Sequence, residues 1–70
     1  MIEKRLKELT EEVEKLKANE DISFEERLAR ENILFGRLSE LCTINFEARD
    51  VDYWKYTELD RKIYEVRERI

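Results

Sequence analysis

The stretch from Ser23 to Ala48 reads as one helix that is apolar on more than one side, and this property constrains the rest of the chain. Phe24, Leu28, Leu34, Phe35, Leu38, Leu41 and Cys42 recur at intervals that return to one face of a 3.6-residue helix. A thinner stripe of Ala29, Ile33, Gly36 and Ile44 lies on the far side. A helix with two apolar faces needs neighbours on both. Those neighbours must come from the first and last thirds of the chain or from a second copy of it.

Both outer thirds can supply a helix. Ile2, Leu6, Leu9, Val13 and Leu16 are spaced four, three, four, three, a heptad seam among positions that are almost all charged. The spacing predicts a helix over 2–18, too short and too narrowly striped to stand alone in water. Glu3 with Lys7 and Glu11 with Lys15 stand in the favourable i,i+4 order. At the other end Tyr56, Leu59, Ile63, Val66 and Ile70 repeat the same stepping. Arg67 and Arg69 suit the C-terminal dipole of that helix, and Glu65 precedes Arg69 by four.

The first break falls at residues 18–22. Ser23-Phe24-Glu25-Glu26 fits a capping box, with Ser23 as N-cap and Glu26 reaching back, while the stem of Arg27 can cover Ile22. So short a connection returns the chain antiparallel to itself. A helical hairpin is therefore expected, with the first seam lying on Leu28, Phe35, Leu38 and Cys42. The second break is less determined, because no Gly or Pro follows residue 36. The heptad runs on through Asn45, Arg49 and Asp52 to Tyr56, so one helix over 24–70 with a polar waist is one arrangement. The other is a turn near residues 47–52, with Asp50 or Asp52 capping a third helix. The turn is favoured, since a helix of ~70 Å with a polar waist is hard to stabilise in so small a protein.

Composition supports an all-α reading. Charged residues make up 46 % of the 70, with one Gly and no Pro, His or Gln, and the β-branched runs and turn clusters of strands are missing. The expectation is a single helical domain over 1–70, with helices at 2–18, 24–48 and 52–70, the last either separate from the second or continuous with it. Packing of coiled-coil type and a dimeric bundle are expected, because one Cys cannot form an intrachain disulfide and a small core needs reinforcement. The net charge of −4 is spread evenly over the chain, without the basic patch of a nucleic-acid or membrane-surface binder. The first twenty residues are charged throughout, so no secretory signal is read there, no stretch could span a bilayer, and a cytoplasmic location is expected.

Few residues suggest chemistry. Cys42 lies on an apolar face with no His to activate it, which argues for an inert core thiol over a nucleophile. One Cys, no His and dispersed carboxylates make a poor metal set, and no glycine-rich phosphate loop occurs. No catalytic, cofactor-binding or metal residue is assigned, no cofactor is expected, and neither nucleic acid, membrane nor a small-molecule substrate is expected as a partner. Glu31 occupies a seam position, where it either reaches solvent at an edge or fixes register as a buried polar group. Asn45 could fix register against its twofold mate in a dimer. Gly36 is either a tolerated surface glycine or the floor of a close helix approach. Trp54 lies far around its helix from the terminal seam; it either folds over Ala29, Ile33 and Gly36 or serves as an exposed anchor. The candidate interface is Ile33, Gly36, Ile44, Tyr53, Trp54, Tyr56 and Ile63. The function expected is non-enzymatic, a self-associating protein–protein interaction module. The alternative is a small regulatory or inhibitory protein, of phage or mobile-element type, that binds a larger protein.

Overall fold

A computed structural model describes residues 2–70; Met1, inside the expected domain span, lies outside the described residues. Three helices run α1 (Ile2–Ala18), α2 (Phe24–Glu47) and α3 (Tyr53–Glu68). They form an up-down-up bundle 43 Å long and 18 × 16 Å across. The starts of α2 and α3 have a chemical cause. Ser23 Oγ accepts from the Glu26 amide at 3.1 Å, and Asp52 accepts from the Lys55 amide at 3.0 Å. Glu26 does not complete the capping box; its carboxylate pairs with Arg30 at 2.7 Å. The chain turns at 48–52 and does not run on as one helix. The Arg49 amide and guanidinium both donate to Phe46 O, which closes α2 without a glycine.

The core is one aliphatic cluster: Leu6, Leu9, Val13 and Leu16 from α1, Leu34, Leu38 and Leu41 from α2, and Leu59, Ile63 and Val66 from α3. The three seams thus bury one another within a single chain, so the first and last thirds supply the neighbours of the inward face of α2. The line of α2 that enters the core is also corrected. Leu28 and Phe35, expected against α1, are exposed, as is Phe24 at 74 %, and Cys42 is only half-buried. The buried line is Leu34, Leu38, Leu41 and Asn45, continued by the half-buried Arg27 and Glu31. It lies about 80° around the helix from Phe24, Leu28 and Phe35, counting roughly 100° per residue. Three close-packed helices leave a narrow centre. Facing seams of Leu, Val and Ile fill it with aliphatic layers, where Phe rings would force the helices apart.

Two polar residues on that line bond within the chain. Asn45, 2 % exposed, donates from Nδ2 to Tyr56 O at 3.0 Å and so ties α2 to the first turn of α3. It is therefore not free to meet a twofold mate. Arg27 donates to Leu16 O at 3.1 Å and to Asn19 O, carbonyls at and just beyond the last turn of α1. Two of the three expected i,i+4 pairs, Glu3–Lys7 and Glu65–Arg69, give way to partners across the bundle, and Glu11 and Lys15 do not pair among the described residues. Glu3 pairs with Lys55 at 2.6 Å and Arg69 with Glu14 at 3.7 Å, joining α1 to α3 near both ends, while Arg37 reaches Glu12 at 3.7 Å.

The Lys55 hydrogen bond, then its charge, hold the Glu3 carboxyl below the usual carboxylate range, and Glu3 raises Lys55 in return. Glu3 therefore contributes stability above its ordinary titration range and loses it as pH falls through the depressed value. Lys55 contributes below its ordinary range and loses it as pH rises through the raised value. An NMR titration should find the Glu3 carboxyl depressed in the wild type and back in the ordinary range in Lys55→Met; an unchanged midpoint contradicts the pairing.

Candidate interaction surface

The residues left outside the core set the surface chemistry. Antiparallel packing of α2 and α3 brings two sets of aromatic side chains onto one outer face. From α2 come Phe24, Leu28, Phe35 and Phe46, and from α3 Tyr53 and Tyr64, all exposed. Phe46 meets the Tyr56 ring edge-on at 6.2 Å, and Tyr56 lies 6.0 Å from Tyr53. Tyr53 in turn meets Trp54 at 6.1 Å, so the end of the bundle at the α2–α3 turn carries four linked rings.

Arg67 stands in the middle of this face. Its guanidinium lies 4.8 Å from the centre of the Phe35 ring and 5.8 Å from that of Tyr64, and Nη1 is 3.9 Å from Cys42 Sγ. Its Nε is buried without a hydrogen-bond partner. The site can hold apolar groups and stack planar ones. Among the described residues no group of three or more His, Cys, Asp or Glu is placed to hold a metal ion. A groove of about 260 Å³ between α1 and α2, floored by Leu16 and Leu34, is open to solvent and rimmed by Lys15, Arg30 and Arg37. No helix is long and apolar enough to cross a membrane among the described residues.

The interface residues read from the sequence do not converge. Ile33, Gly36 and Ile44 are exposed on one side of α2; Tyr53, Trp54 and Tyr56 gather with Phe46, roughly 150° around that helix at about 100° per residue. Ile63 is fully buried in the core and offers no surface. Trp54 does not fold over Ala29, Ile33 and Gly36; it is 81 % exposed. The start of α3 sits beside the end of α2, which places Trp54 level with the last turn of α2, about 27 Å along the axis from Ala29 at 1.5 Å per residue. Leu28 and Phe35, expected against α1, and Phe24, on the same apolar stripe, belong to this surface, as do Phe46 and Arg67, which the seams do not assign to it. The signal for them was present in the numbering: residues 24, 28, 35, 42 and 46 follow a line of their own, distinct from 34, 38, 41 and 45.

Gly36 is not the floor of a close approach within the chain, since a Cβ built there meets nothing within 4 Å and its φ is not positive. Gly36→Ala should therefore stabilise the protein by about 0.5–1 kcal/mol through the helix backbone alone. A higher Tm in calorimetry is expected; a lower one would mean that another chain packs against that position. Set against known protein families, curated proteins and solved structures, the chain matches none of them.

Proposed function

We propose that this chain is a non-enzymatic, cytoplasmic protein–protein interaction module that self-associates into a dimeric helical bundle with packing of coiled-coil type. One observation supports this reading above the others. Six aromatic side chains, Phe24, Phe35, Phe46, Tyr53, Trp54 and Tyr64, are each between 45 % and 81 % exposed in a chain whose aliphatic core is already closed. At about 200 Å² per aromatic side chain, that fraction leaves roughly 700 Å² of ring surface in water. These rings are spread along the length of the bundle, with Phe46, Tyr53 and Trp54 gathered at one end, and aromatic side chains are the ones most favoured at protein interfaces.

A second reading, a small regulator that docks on a larger protein, draws on Trp54. It is the most exposed of these rings and stands at the end of the bundle, where a large partner can reach it. Sedimentation equilibrium at micromolar concentration separates the two. Self-association gives a mass near twice the 8.6 kDa of the chain; a stable, fully helical monomer contradicts it and favours the regulator.

A further inference from the structure

The turn between α2 and α3 contains no residue that demands a turn. Residues 48–52 are Ala-Arg-Asp-Val-Asp, and no described residue has a positive φ. The amides of Ala48, Arg49 and Val51 bond back to carbonyls three or four residues earlier, as they would in a helix. Asp52 departs from that path: it is extended, at φ −153° and ψ 98°, and caps α3. The seams on either side of it are in phase. Leu38, Asn45, Asp52, Leu59 and Val66 stand seven apart, and all but Asp52 are buried. We infer that the chain dimerises by exchanging α3: residues 48–52 straighten to join α2 and α3 into one helix, and α3 packs in the bundle of a second copy. The inference rests on the self-association proposed above and adds its means.

A closed bundle does not require the two seams to be in phase; an exchanged one does. A seven-residue step drifts only about 20° per heptad on a helix, so one face points inward along both halves of the joined helix. The side that meets the partner helix is also shared. Phe35 and Phe46 of α2 and Tyr56 and Arg67 of α3 all lie about 60–100° to one side of the inward line, counting roughly 100° per residue. Through these residues α2 and α3 already touch. The pairs Phe46–Tyr56 and Phe35–Arg67 are both centred on residue 51, inside the turn. Straightening therefore shifts no layer of the core. The bond from Asn45 to Tyr56 O and the stacking of Arg67 on Phe35 are kept and become contacts between copies.

The two-fold axis then passes through residue 51 of both copies. Arg49 and Tyr53 lie on the partner-facing side, two residues before and after it, so Arg49 of one copy meets Tyr53 of the other. The same guanidinium stands beside the two Asp52 carboxylates that straddle the axis. In the closed chain α3 is tethered by residues 48–52 alone, and so short a tether gives it a high effective concentration against its own bundle. Exchange is therefore favoured by refolding at millimolar protein.

Cross-linking read on a denaturing gel tests the exchange. Arg67→Cys with Cys42 retained places one thiol on α3 opposite another on α2, where Arg67 Nη1 and Cys42 Sγ are 3.9 Å apart. The variant is unfolded in urea, refolded at millimolar concentration, separated by gel filtration and linked with a short bismaleimide. An exchanged dimer gives a covalent species of twice the 8.6 kDa chain. Cys42 alone should not link, because its two copies lie about 27 Å apart along the axis, nine residues either side of residue 51 at 1.5 Å each. Two glycines inserted between Val51 and Asp52 lengthen the turn and break both helix and phase; the dimer fraction should fall at least about tenfold with helicity retained. Asp52→Ala, which removes the cap that closes the turn, should raise it. A dimer that runs as single chains after linking, that links through Cys42 alone, or that survives the insertion overturns the exchange while self-association stands. A chain that stays monomeric at every concentration overturns both.

Discussion

A helix packed against two neighbours in a three-helix bundle can offer them only one line, and in this protein the central helix carries more apolar lines than one. α2 turns Leu34, Leu38 and Leu41 inward and leaves Phe24, Leu28 and Phe35 out. That choice follows from volume. The seams of α1 and α3 are Leu, Val and Ile, and layers of that size close the centre of a bundle only 16–18 Å across. Everything on the surface is a consequence, since the rings that the centre rejects collect on the α2–α3 face.

Polar contacts then select one register out of those that the aliphatic seams would tolerate. Asn45 fixes α2 against the first turn of α3, because its amide is buried and must find a partner. Arg27 sits where a fourth core layer would otherwise begin and closes the end of α1. The exposed pairs Glu3–Lys55 and Glu14–Arg69 add little to stability but oppose sliding of α3 along α1, since a shift of one turn would separate both at once. Repeated Leu and Ile layers specify size; these contacts specify alignment.

How much of this was legible in the sequence depended on how ambiguous each stripe was. In α1 the seam stands alone among charged residues, and Leu6, Leu9, Val13 and Leu16 are the residues buried. In α3 the same holds for Leu59, Ile63 and Val66. Ser23 marked the start of α2 because a hydroxyl ahead of a helical run can accept from an unpaired first-turn amide, as it does from Glu26. The carboxylate of the expected capping box goes to Arg30 instead. α2 itself was misread because its two apolar lines overlap: Leu38 lies on the edge of either, and Phe35 outweighs Leu34 in hydrophobicity while losing to it in fit. Asn45 looked like an interruption of a seam and Arg27 like a cover for Ile22, when each lies on the inward line with a carbonyl to bond. The position of Trp54 depended on where α3 starts relative to α2, which periodicity does not encode. The aromatic face could be seen only once the inward line was known.

The inward line of α2 is also the most direct thing to measure. Leu38→Ala and Phe35→Ala should be compared by urea unfolding, at a concentration low enough that both variants sediment as monomers. With Leu38 fully buried and Phe35 about half exposed, the first should cost about 3 kcal/mol and the second about 1 kcal/mol. The reverse order would place Phe35 in the core and Leu38 outside it, and would contradict both the bundle and the aromatic face built on it.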